Sequence, residues 1–193
     1  MNDWNFYLSY TKYINIIKNG GMIMKQVLVD MDGVLADVYR QFQLYEERET
    51  GRLIDLKELV GILELDAFPN GKRHVMSEGF FRTAPVIEGS IEGLKYLNDK
   101  YNILIVSSAT EFPQSLTEKL DWLAEYFPFI SWRQIILCGE KKAIKGDIMI
   151  DDHPKNLDYF KGERYIFTQP HNELIESDRY IRVNSWQQIM SIF

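Results

Sequence analysis

Two acidic pairs carry most of the chemistry this 193-residue sequence could perform: Asp30-Met31-Asp32-Gly33 and Asp151-Asp152. Each follows a short apolar run, Gln26 to Val29 and Ile148 to Ile150, so each sets carboxylates where a buried strand should end. Charges there are costly unless a cation or hydrogen bonds compensate them. Two facing pairs of this kind are the arrangement expected to hold Mg²⁺ through oxygen ligands. A third run, Ile103 to Val106, ends in Ser107-Ser108, whose hydroxyls can bond a phosphate oxygen with help from main-chain N–H groups. A fourth, Gln134 to Leu137, is followed by Glu140-Lys141-Lys142, which brings cations to the same edge. Asp-x-Asp-Gly also occurs in calcium loops. Those need a glutamate at the twelfth position, where this chain has Gln41.

The elements that must position these residues follow from the apolar pattern. With Tyr165 to Phe167 as a fifth run, the strands are apolar on both faces, as in a parallel sheet. Helical stripes lie between them: Ile91, Leu94 and Leu97; Leu116, Leu120, Leu123 and Phe127; and Trp186, Ile189 and Met190. The alternation predicts an α/β fold, a doubly wound (Rossmann-like) parallel sheet whose ligands gather beyond the carboxyl ends of the strands. Residues 37–85 break it. Their content (Phe42, Tyr45, Leu56, Leu59, Leu63, Phe80 and Phe81) predicts a small helical cap inserted after the first strand, leaving residues 24–36 and 86–193 as the core. Residues 1–23 look unlike the rest and read as an N-terminal extension outside the core, with a partner-binding amphipathic segment as the alternative.

Composition narrows the function classes. A net charge of -6 with interspersed signs argues against a nucleic acid polymer as partner. No apolar run approaches the ~20 residues that cross a bilayer, which excludes a membrane role of that kind. The single cysteine, Cys138, excludes an internal disulfide framework, suits a reducing cytoplasmic setting and reads as packing. His74 and His171 show no zinc spacing. His153 lies in Asp-Asp-His-Pro-Lys-Asn, where a turn role outweighs a phosphate contact. Trp122, Trp132 and Trp186 fit core or domain-edge positions.

The set Asp30-x-Asp32, Ser107, Lys141 and Asp151-Asp152 resembles the four motifs of the haloacid-dehalogenase-like phosphatases. More narrowly, DMDGVLADV, GFFRTAPVIEG, SSATEFPQSL, YFPFISW, CGEKK and DIMIDDHPKNL resemble the bacterial 5'(3')-deoxyribonucleotidases. The resemblance covers most of the chain after Met24, and Glu111 through Lys141 points to the narrower family. It implies that Asp30 is the nucleophile and Asp32 the general acid, and that Ser107, Ser108 and Lys141 bind phosphate. It further implies Mg²⁺ held by Asp30, the Asp32 carbonyl and Asp152, with Asp151 in support. A nucleoside monophosphate would be the substrate, its base covered by Phe80, Phe81, Tyr39 and Phe42, with Tyr45 a further candidate. A sugar phosphate or other small phosphoester is the alternative substrate, and a homodimer the alternative to a single chain. Mammalian relatives carry an aromatic where this chain has Val38, so its base contacts are expected to differ.

Overall fold

The structure, a computed structural model, describes residues 24–193, so the expectations for residues 1–23 lie outside the described residues. Its centre is a six-stranded, all-parallel sheet in the order β3-β2-β1-β4-β5-β6. The strands are β1 (Gln26–Val29), β2 (Asn102–Ser107), β3 (Ile135–Leu137), β4 (Ile148–Asp151), β5 (Glu163–Phe167) and β6 (Ile181–Val183). Successive strand residues face opposite sides. Val27, Val29, Ile103, Ile105, Ile148 and Ile150 therefore fill one layer, while Leu28, Val106, Met149 and Ile166 fill the other. The first layer is closed by α4 (Ser90–Lys100), α5 (Ser115–Tyr126) and α7 (Trp186–Ile192) through Leu94, Leu97, Trp122, Leu123, Trp186 and Ile189. The second is closed by α6 (Pro154–Leu157) and its surroundings through Leu157, Phe160 and Tyr180. Burial on both faces is why these strands are continuously apolar. Removing one such side chain, as in Leu28→Ala, costs about 2–5 kcal/mol.

Register fixes the functional edge. Val29 pairs with Ile105 on one side and Ile150 on the other, and the Asp30 N–H donates to the Ile150 carbonyl at 2.9 Å. The next residues of β1, β2 and β4 therefore emerge side by side.

The inserted segment builds a separate core. Helix α1 (Val38–Thr50) is capped by Asp37, which accepts from the Arg40 N–H at 2.9 Å, and ends at Gly51 in the left-handed conformation (φ 70°). With α2 (Glu64–Ala67) and α3 (Gly71–Val75) it encloses Val38, Tyr39, Phe42, Phe68, Val75, Phe80 and Phe81. Buried Glu46 anchors α3, accepting from Asn70 Nδ2 at 3.0 Å and lying 2.9 Å from His74 Nε2. Entry and exit are tied together: the Asp37 N–H donates to the Pro85 carbonyl at 2.8 Å, and Ile87 to Leu35 at 2.8 Å.

Several expectations need correction. Trp132 is 72% exposed rather than packed, and Leu120 is 43% exposed. The inward face of α5 is Ser115, Lys119, Trp122 and Leu123, because its amino-terminal half meets the polar sheet edge rather than the apolar core. Strand β3 begins at Ile135, since Gln134 is spent in a capping box with Ser131. The short β6 has no apolar signature. It is an edge strand whose Arg182 donates to the carbonyls of Asn172 and Ile175 at 3.0 and 2.7 Å.

Candidate active site

Lys141 stands at the middle of the sheet edge. Its buried ammonium lies 2.6 Å from Asp30 Oδ1 and 2.7 Å from Asp151 Oδ2. Asp30 Oδ1 also accepts from the Met31 N–H at 2.6 Å. Asp151 is saturated by further bonds, from the His153 N–H at 2.9 Å and from Asn156 Nδ2 at 2.9 and 3.1 Å. Asp152 differs. Its carbonyl accepts from Asn172 Nδ2 at 2.8 Å, but its buried Oδ1 has no hydrogen-bond partner. Gly33 (φ 74°) lets this carboxylate come close, because a Cβ there would sit 2.1 Å from Asp152 Oδ2.

Three buried carboxylates (Asp30, Asp151 and Asp152) thus present oxygens within 4.8 Å of one another against a single lysine. Burial, and then the charge of Asp151, pushes the Asp30 carboxyl up to about 7 despite the pull of Lys141. Burial likewise raises Asp152 well above the carboxylate range, with His153 opposing and Asp30 reinforcing the shift. A divalent cation would balance the excess negative charge, and an all-oxygen donor set suits a hard one. The residues present fit such an ion, and the unpartnered Asp152 Oδ1 is the atom that most needs it.

A second lysine joins the site from α5. Lys119, almost fully buried, bonds the Asp32 carboxylate and donates to Ser107 Oγ at 2.9 Å. Its ammonium lies 4.6 Å from the Phe81 ring centroid. The sequence reading missed Lys119. The available signal was a lysine three residues before Trp122 and four after Ser115, on the side of α5 that faces inward.

Above these groups lies a cavity of about 300 Å³ between the sheet edge and the inserted helices. Asp30, Asp32, Lys119, Lys141 and Ser108 line its charged end, and Val38, Phe42, Phe80, Phe81 and Phe112 its apolar end. Ser107 is fully buried beneath Lys119 rather than on the wall. Tyr39 does not reach the cavity, contrary to expectation. Its hydroxyl donates to the Ile62 carbonyl at 2.8 Å and lies 3.3 Å from His171 Nδ1, a pairing that turns the ring away.

The comparisons with known proteins agree with this geometry. The family model described as "5' nucleotidase, deoxy (Pyrimidine), cytosolic type C protein" matches residues 22–193. The 5'(3')-deoxyribonucleotidase of Bacillus subtilis (strain 168) is 39% identical over 170 residues, covering 86% of this chain and 97% of that protein. The chain belongs to this deoxyribonucleotidase family. The 5'(3')-deoxyribonucleotidase of Bacillus phage SPbeta is equally similar, at 39% identity over 170 residues and the same coverage. Among solved structures, a haloacid dehalogenase-like family hydrolase from Streptococcus pneumoniae superposes with a TM-score of 0.53 at 14% identity, over 88% of this chain and 98% of that one. A HAD-superfamily hydrolase, subfamily IA, from Geobacter sulfurreducens gives 0.52 at 15%, over 88% and 100%. These two likenesses concern the fold.

In this family member the far side of the cavity is closed by a second polar cluster that the sequence did not disclose. Glu64, on α2, lies 3.2 Å from His153 Nε2 and 3.7 Å from His171 Nδ1. The two imidazoles stack with centroids 4.4 Å apart. Burial alone would raise Glu64, but the hydrogen bond and charge of His153 hold it at about 2. Burial opposes the charge on His153, yet Asp152 and Glu64 outweigh it and raise the imidazolium to about 9. His153 is therefore more than turn material: it joins the loop after β4 to the inserted helices. Glu64 and the role of His171 were not legible in the sequence because the partners come from three distant parts of the chain. Among the described residues, no helix is long and apolar enough to cross a membrane.

Proposed function

We propose that this chain is a Mg²⁺-dependent 5'(3')-deoxyribonucleotidase that hydrolyses nucleoside monophosphates through an aspartyl-phosphate on Asp30. The observation that carries the reading is one cavity with a carboxylate–lysine floor, Asp30 with Lys141 and Lys119, beneath an aromatic wall, Phe42 with Phe80 and Phe81. Phosphate chemistry needs the first and a nucleoside the second.

Both bonds to Asp30 fall on Oδ1, which leaves Oδ2 as the oxygen that attacks phosphorus. The Asp30 Oδ2–P bond forms as the P–O ester bond breaks, and Asp32 gives its proton to the departing nucleoside oxygen. Asp32 then takes a proton from water, whose oxygen attacks phosphorus and frees Asp30 and inorganic phosphate. Lys141 and Lys119 neutralise the phosphoryl oxygens, with Ser108 as a further contact. Lys119 is held by Asp32 and Ser107, so an incoming phosphoryl oxygen competes for it and frees Asp32 to meet the ester oxygen. Mg²⁺ held by Asp30, Asp152 and the Asp32 carbonyl would supply charge to the phosphoryl group and keep Asp30 ionised. Asp151 holds Lys141 instead, since its own oxygens are already taken.

The test is phosphate release by purified protein, with Mg²⁺ and with chelator, across deoxy- and ribonucleoside monophosphates and sugar phosphates. Chelator-sensitive turnover strongest on deoxynucleotides is the expected result. Turnover strongest on sugar phosphates would overturn the substrate and keep the mechanism.

A further inference from the structure

Helix α5 passes along the return segment of the insertion, and one ridge of side chains bonds its main chain throughout. Gln114, just before the helix, donates Nε2 to the Val75 carbonyl at 3.0 Å. Glu118 accepts from the N–H groups of Gly79, Phe81 and Arg82 at 2.6, 3.0 and 3.1 Å. Trp122 donates Nε1 to the Ala84 carbonyl at 2.8 Å. Residues four apart share one helix face, so a single ridge serves the whole passage. Gln114 and Trp122 each make one neutral bond to the main chain of this segment, whereas Glu118 gathers three charge-assisted ones. Of the residues it gathers, Phe81 lines the cavity, and Phe80, also on its wall, lies between Gly79 and Phe81.

We propose that Glu118 is a positioning residue for substrate selectivity: it fixes the Phe80–Phe81 wall against which the nucleoside packs. The proposal rests on the nucleotidase reading above. Ring placement follows the backbone that carries it. Gly79 turns that backbone through φ 83°, and the carboxylate then takes the N–H groups on both sides of Phe80. Phe80 is thereby set edge-on to Phe81, with centroids 5.2 Å apart, and 4.6 Å from Phe42. Phe81 is set between Phe112 and the ammonium of Lys119. Consecutive residues of α5 thus divide the work: Glu118 holds the wall and Lys119 reaches Asp32 and Ser107. Lys119 has those two polar partners apart from the ring, so the two effects are separable.

The experiment compares wild type, E118Q, E118A, F81A and E118A/F81A in steady state, on a deoxynucleoside monophosphate and on methyl phosphate, which has neither base nor sugar. Thermal melting checks each variant's fold. E118A is expected to raise KM for the nucleotide roughly tenfold while its kcat/KM for methyl phosphate stays within about twofold of wild type. E118Q keeps the side-chain length, should fall between the two, and stands in for E118A if that variant does not fold. The double variant should be no worse on the nucleotide than F81A alone, because Glu118 acts through the ring. Equal losses on both esters, additive losses in the double variant, or an unchanged nucleotide KM would each overturn the proposal. A wild-type enzyme with no preference for the nucleotide over methyl phosphate would instead overturn the nucleotidase reading, and this inference with it.

Discussion

The two ends of the cavity are built on opposite physical terms. At the sheet edge, three buried carboxylates crowd one lysine, and two carboxylate oxygens, Asp32 Oδ1 and Asp152 Oδ1, have no hydrogen-bond partner. In the inserted segment, aromatic rings pack on one another, and buried Glu46 is paired with His74 and Asn70. The first end is unfavourable as it stands and is made useful by what binds there. The second is stable in itself and can serve only as a surface. Reactivity and selectivity should therefore fail separately.

The largest effect should come from the charged end. Asp30→Asn removes the proposed nucleophile and should reduce kcat by roughly 10⁴-fold or more on every phosphoester, measured as phosphate release. Residual turnover near wild type would put the nucleophile elsewhere. Next, Lys119→Met should lower kcat by about 10²-fold through lost charge at the phosphoryl group, with base preference unchanged. An altered preference instead would blur the division between the two ends.

On the apolar end, Phe81→Ala should raise KM for nucleotides roughly tenfold and change kcat little, since the ring contributes packing area and one cation–π contact to Lys119 but no reacting group. A matching fall in kcat would show that the wall also sets the reacting atoms.

Stability offers a subtler contrast. Burial disfavours the Asp152 carboxylate, so its folded-state pKa lies above the unfolded value. Ionised Asp152 then costs stability, a cost absent below the unfolded pKa and growing as pH rises above it. In chelator at pH 7, Asp152→Asn should stabilise the fold by about 1–3 kcal/mol and abolish the gain from added Mg²⁺; near pH 3 the variant and wild type should melt alike. Destabilisation at pH 7 would mean that the charge is better compensated than its unpartnered Oδ1 implies.

The smallest effect concerns the edge where the insertion meets the loop after β4. His153 has its pKa raised to about 9, so its pairing with Glu64 is fully present below about 6.5 and lost as pH rises through 9. Protection of the α2 amides of the metal-free protein, relative to their base-catalysed intrinsic exchange, should fall across that window, and Glu64→Gln should remove the fall.

The charged sheet edge was legible because strand register converts sequence order into position. Asp30, Ser107 and the Asp151-Asp152 pair each follow an apolar run, and parallel pairing brings them level. Lys141 was reachable only through family resemblance, since nothing local separates it from Lys142. One is buried between two carboxylates, and the other is exposed beside Glu140. The helical stripe after β2 held for Leu123 and Phe127, which are core, and failed at Leu120, which is exposed. Apolar periodicity marks the inward face only where the neighbouring layer is apolar, and Lys119 faces a polar sheet edge instead.

The sequence by itself determined the class of fold, the order of the strands' polar ends and the chemistry those ends could support, because these depend on short-range pattern and on residue type. Only the tertiary structure decided which aromatics face the cavity and which, like Tyr39, are turned aside. It alone brought Glu64, His153 and His171 together, left Asp152 Oδ1 without a hydrogen-bond partner and placed Glu118 under the aromatic wall. Those outcomes depend on contacts between residues tens of positions apart, and on competition for a limited number of hydrogen-bond donors, neither of which any local stretch of sequence records.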